Sequence, residues 1–217
     1  MKNWILRVTI SLTVLFWLSG CVLGRRTVDL NVPQQGAYAG ATKGTVYVGE
    51  VKDNRVFMNN PGSPSIPSID GDVNEMSAEE RLCMIGRQRN GFGKAMGDIA
   101  TENNETVLDL TKDLLEEGLK RRGYAISQDP NSKLRIEATI DEFWAWFTPG
   151  AFAIKFEARV NCDVSIDGAA QSELVVVKGY GRNQGQVASD ANWALAYERA
   201  FNDFLDNFAS ALSAKGY

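Results

Sequence analysis

IKFEARVNCDVSI (154–166) is the stretch whose reading decides the fold. Ile154, Phe156, Ala158, Val160, Cys162, Val164 and Ile166 fall on one side of an extended chain. Lys155, Glu157, Arg159, Asn161 and Asp163 fall on the other. Alternation sustained over this length describes a strand with one face in the core and one in water, as in an antiparallel sheet. It also puts Cys162 on the core face. Upstream, Leu134, Ile136, Ala138 and Ile140 begin a second long strand that runs into Phe143-Trp144-Ala145-Trp146-Phe147, and Thr148-Pro149-Gly150 turns the chain. Downstream, DGAAQ (167–171) turns it again and ELVVVKGYGRNQG (173–185) returns. The three segments predict a meander.

Outside this meander the period changes. In ETVLDLTKDLLEEGLKRR (105–122), Val107, Leu110, Leu114, Leu115, Gly118 and Leu119 form one helical stripe, and Gly123 stands where a helix-ending glycine belongs. Trp193, Tyr197, Ala200, Phe201, Phe204, Phe208 and Leu212 form a second stripe, with Asp190 as N-cap. Val28, Leu30 and Val32 alternate as a strand. TVYVGEV (45–51) reads as another with a bulge at Gly49, and Cys83–Arg89 as a third that leads into a glycine-rich turn. Between residues 52 and 80, Pro61, Pro64 and Pro67 forbid a helix or a central strand, and a loop this long suggests a role. The order predicts an α+β domain: a mainly antiparallel sheet with two principal helices packed on one face.

The start of the chain has a different character. In MKNWILRVTISLTVLFWLSGC (1–21), Lys2 and Arg7 precede an apolar run from Val8 to Leu18 that is shorter than the ~20 residues of a membrane span. A basic start, a short apolar core and small residues at the exit describe a secretory signal. Leu18-Ser19-Gly20-Cys21 resembles the lipobox of bacterial lipoproteins. That resemblance implies cleavage before Cys21 and a diacylglycerol on its thiol, several chains on one residue making a durable anchor. Val22, rather than Asp, follows Cys21; by resemblance to enterobacterial sorting, this points to the outer membrane, facing the periplasm. Residues 1–20 are then the signal, 21–26 a lipidated tether with Arg25 and Arg26, and 27–217 a single domain.

Composition narrows the chemistry. The 217 residues are 44% hydrophobic and 23% charged, enough for one packed core. Losing Lys2 and Arg7 with the signal takes the formal charge from −4 to −6, which argues against nucleic acid as a partner. The chain has no histidine, which removes the commonest general base and every His-containing metal site. After Cys21, only Cys83 and Cys162 remain, either as one disulfide in an oxidising compartment or as two unpaired thiols. No cofactor, metal or catalytic set is expected. GFGKAMG (91–97) and GYGRNQG (179–185) space their glycines as GxGxxxG, not as a dinucleotide loop, and read as turns and bulges.

Two segments stand out as a candidate binding surface. Arg87 and Arg89 share a strand face and Lys94 follows the turn; together they suit a phosphate, a lipid headgroup or an acidic loop, or else form a solvated hairpin edge. Trp144 and Trp146 point away from Phe143 and Phe147, so one set lies outside the sheet's own core. It either meets a partner or lies beneath a helix or the proline loop. Asp53-x-Arg55-x-Phe57, the loop with Pro64, Pro67 and Ser68, and RQRNGFGKAMGDI (87–99) resemble the YajG-type bacterial lipoproteins, with Gln88, Phe92 and Met96 departing from the family pattern. The resemblance implies an envelope lipoprotein and supplies no catalytic activity. Arg55 joins the candidate surface on this ground. The function expected is a non-enzymatic, membrane-anchored module for an envelope protein or complex. The alternative is a carrier or sensor of a small amphiphile, which a large apolar cavity would favour.

Overall fold

The computed structural model describes residues 24–36, 38–90, 94–168 and 172–217. The chain forms β1 (Arg26–Val28), β2 (Gly44–Asp53), α1 (Ala78–Cys83), β3 (Met84–Arg89), β4 (Ala95–Thr101), α2 (Val107–Arg121), β5 (Tyr124–Ser127), β6 (Arg135–Pro149), β7 (Ile154–Asp167), β8 (Ser172–Gly185) and α3 (Asp190–Ala214). Strands β6, β7 and β8 form the antiparallel meander, with Arg135 opposite Asp167 and Ile154 opposite Gly185.

The other edge of β6 forks. Its first half pairs in parallel with β2, from Tyr47 opposite Arg135 to Asp53 opposite Ile140. Its second half pairs in parallel with β3, Gly86 opposite Ala145 and Arg87 opposite Trp146. Beyond β2 lies β5, and beyond β3 lie β4 and then β1. The expected mainly antiparallel sheet with two helices is therefore corrected to an eight-stranded mixed sheet with three helices, one of them long. The cause lies in the connections. The loop after β2 and α1 carry the chain from β2 to β3, which runs parallel to it beside the second half of β6, and α2 carries the chain from β4 across the sheet to β5 beside β2; parallel strands need such long connections rather than hairpins. Alternation within a strand carries no information about its partner.

A bulge between Ile140 and Glu142 sits where the sheet forks. It shifts the phase of β6, so Ile136, Ala138 and Ile140 and then Phe143, Ala145 and Phe147 all reach the same core. Helices α2 and α3 cover that face. The stacked Phe143 and Tyr197 rings lie 5.3 Å apart, and Phe156 meets Trp193 edge-on at 5.1 Å. The Tyr197 hydroxyl donates to the Ile85 carbonyl on β3, which ties α3 across the sheet.

Local signals explain the helix ends. Thr106 and Asp109 form a reciprocal capping box at α2, and Gly123 adopts φ +89° just beyond its end. Ser189, not Asp190, is the N-cap of α3; Asp190 is its first helical residue. β1 is shorter than the alternation through Val32 suggests, and β4 extends where only a glycine-rich turn is legible.

Candidate functional site

The candidate residues converge, but beneath a cover. Arg55, Arg87 and Arg89 share the face of the sheet opposite the helices with Trp144 and Trp146, and all five are buried. The covering element is the proline loop between β2 and α1. Phe57 and Ile69 from this loop pack with Met84, Ala100, Trp144 and Trp146 into a second apolar cluster. The Trp144 indole N–H donates to the Pro64 carbonyl at 3.2 Å, and Phe57 meets Trp144 edge-on.

Arg55 reaches from the start of the cover to the sheet, while Arg87 and Arg89 reach from β3 to the cover. Arg55 grips Asp53 through two N–H···O bonds, Nε at 2.8 Å and Nη2 at 3.0 Å. Its remaining donors reach the carbonyls of Met84, Phe143 and Arg81. Arg89 donates to the Pro61 carbonyl at 2.8 Å and the Ser68 hydroxyl at 2.7 Å. Arg87 donates to the Ile69 carbonyl and to Asp70, and pairs with Asp98 at 3.4 Å. A guanidinium has five fixed donors, so it suits this work; a lysine would meet fewer acceptors.

Burial marks the electrostatics. It pushes the Asp98 carboxyl above the ordinary aspartate range, more than the Asp70 backbone N–H and Arg87 lower it. It also lowers the Arg89 guanidinium, with the Arg87 charge adding to the effect. The sheet-side groups Asp53 and Asp98 and the loop acceptors Ser68, Pro61 and Ile69 were not singled out as site residues in the sequence. The Asp-x-Arg spacing and the Gly-Asp at 97–98 are the signals that carry the two acids.

The remaining candidates lie elsewhere. Lys94 is exposed just before β4, whereas the three arginines are buried. Cys162 is buried on the helix side of β7, where burial drives its thiol far above the ordinary range. Cys83 is half-buried at the end of α1; both thiols are free, and no disulfide joins them. Cys21 lies outside the described residues. Among the described residues, no three acidic or cysteine side chains converge as metal ligands, and no helix is long and apolar enough to cross a membrane. The space between sheet and helices is filled by aromatic side chains, which counts against an enclosed amphiphile carrier.

What the cover offers to water is mixed, with two large apolar side chains beside exposed Asn54, Asn59, Asp70 and Asp72. Alternation along DNRVFM buries Arg55 and Phe57 and turns out Val56, 70% exposed, and Met58, 47% exposed. The loop is braced on itself as well: the Met58 N–H donates to Pro67 at 2.9 Å, and Asn59 bonds both Asp72 and the Val73 N–H.

A family model described as uncharacterized lipoprotein matches residues 87–214. No curated protein matches the chain at a significant level. A crystal structure of a protein from Xanthomonas campestris resembles it with a TM-score of 0.51 and 9% identity, covering 88% of this chain and 96% of that one. A hypothetical protein from Chlamydia trachomatis aligns with a TM-score of 0.32 and 13% identity, over 80% of this chain and 99% of that one. Of these two, the first alone reaches a score at which a common fold is meaningful.

Proposed function

The chain belongs to a family of uncharacterized lipoproteins, and from that premise we propose that it is a non-enzymatic binding module for an envelope protein or complex. Its anchor is the diacylated Cys21, exposed by signal cleavage, and its membrane is the outer one, with the domain facing the periplasm. Within the family, the resemblance of the Asp53-x-Arg55-x-Phe57 and 87–99 stretches supports placing it with the YajG-type group.

The observation that supports this reading is the clamped loop. Three buried arginines hold a proline-rich segment against the sheet while Val56 and Met58 face water. A loop already fixed loses little conformational freedom when a partner docks, so its apolar side chains bind at low entropic cost. The three arginines of the layer beneath it all bond across the boundary between cover and sheet.

Photo-reactive side chains at Val56 and Met58 of the acylated protein in living cells test this. A reproducible protein adduct at either position, lost when the other of the two is changed to Asp, supports a binding module. Clean absence of protein adducts, with the protein abundant and acylated, rejects it.

A further inference from the structure

The structure brings four features to one end of the sheet. The first is the start of the described chain. The Gly24 N–H bonds the Met96 carbonyl at the beginning of β4, and a side chain at Gly97 would collide with the Gly24 carbonyl. The second is the β3–β4 turn, closed by the Asn90 N–H on the Lys94 carbonyl. The third is the β6–β7 turn at Gly150–Ala153, which lies at the same end because β3 and β6 run in parallel. It carries Phe152, 96% exposed. The fourth is the β8–α3 loop, since Gly185 pairs with Ile154; it carries Val187, 65% exposed. Arg26 joins the first feature to the fourth by donating to the Ala188 carbonyl and pairing with Asp190 at 3.4 Å.

The length of the tether gives this end a partner. Only three residue steps separate Cys21 from Gly24, a reach of about 10 Å. If Cys21 carries the lipid, the Gly24 corner stands against the bilayer. The opposite end, at the start of β6, lies on the order of 45 Å away along a 15-residue strand.

We propose that this end of the sheet seats on the phospholipid surface, with Phe152 and Val187 in the interfacial layer. A fully exposed phenylalanine on a tight turn is unfavourable in water and favourable at the boundary of headgroups and acyl chains. Exposed Lys94 and Lys155 flank it and suit anionic headgroups. The acids at this end are already engaged: Asp190 with Arg26, Asp98 and Asp70 with Arg87. Seating this end leaves the clamped loop facing sideways and the far end projecting outward. The proposal rests on the anchor reading above.

The test uses the mature, acylated chain in vesicles of phosphatidylethanolamine and phosphatidylglycerol brominated on the acyl chains. Trp144, Trp146 and Trp193 are buried, so a tryptophan added at the surface reports its own depth. Phe152→Trp and Val187→Trp lose about half of the added emission to bromine, while Leu174→Trp, 64% exposed near the far end of β8, keeps its emission. Equal emission from all three overturns the orientation. Flotation with the vesicles, abolished in Cys21→Ser, tests the anchor alone. A wild-type chain that does not float overturns the anchor reading and the orientation together. A chain that floats with three equal reporters overturns the orientation only.

Discussion

Arg55 has no side-chain exposure to water, and its Asp53 partner has 6%. Removing one member of such a pair leaves a buried charge alone, at a cost of about 3–5 kcal/mol. Arg55→Ala should therefore lower the free energy of unfolding by about that much, read from urea denaturation midpoints. Arg55→Lys keeps the charge and loses the fork, and should fall between the variant and the wild type. Asp98 gives a pH signature. Its carboxyl titrates above its unfolded value because burial disfavours the charge. It therefore adds stability below its unfolded pKa, and that contribution disappears as pH rises through the folded value. Denaturation from acidic to neutral pH should show this decline in the wild type and lose it in Asp98→Asn. That Arg87 and Arg89 share a face was legible from their spacing alone. That the face lies inside was legible only on the tryptophan side, where cover by the proline loop was one of the readings; Arg87 and Arg89 read as a binding site or a solvated edge, because most of the covering segment, residues 59–76, carries no periodic signal.

At the scale of elements, α3 and β8 fit as closely as backbones allow. A side-chain carbon at Gly181 would stand 2.0 Å from the Ala196 carbonyl, and one at Gly179 2.3 Å from that of Ala200. Gly181→Ala should cost about 1–3 kcal/mol by overpacking, measured by thermal unfolding. The two glycines read in sequence as turns or bulges; they are close-approach sites within a regular strand. The same helix also guards the open edge of β8. Asn207 donates to the Lys178 carbonyl, Asp203 accepts from the Tyr180 N–H, and Arg199 donates to the Arg182 carbonyl. Residues four apart on a helix advance about 6 Å, close to the spacing of alternate residues on a strand. An unguarded edge recruits strands from other molecules. Asp203→Ala with Asn207→Ala should make the domain self-associate with rising concentration, seen by light scattering, while secondary structure persists. The bulge in β6 was not read from the sequence, although the apolar residues at 136, 138 and 140 that resume at 143, 145 and 147 carry its signal. β4 was not, because AMGDIAT (95–101) spends two of its positions on Gly97 and Asp98.

At the scale of the whole molecule, the sheet has two unlike faces. One packs on α2 and α3 through a continuous aromatic core. The other is roofed, over β3 and β6, by a segment with no secondary structure. The meander and the two amphipathic helices could be read from periodicity. The mixed order of the sheet could not, because parallel pairing depends on crossovers and not on the pattern within each strand. The roof must be part of the rigid fold to bind a partner, since a loop that opened freely would display no fixed surface. Hydrogen exchange on the mature protein tests this most directly. The Met58 amide is bonded to Pro67, and the Asp70 amide to Asp98, both at 2.9 Å. Both should exchange far more slowly than an unstructured chain, and Arg89→Ala should release Met58 while leaving the amides of β7 protected. Exchange of Met58 and Asp70 in the wild type at the rate of an unstructured chain would contradict the clamped loop and the binding surface built on it.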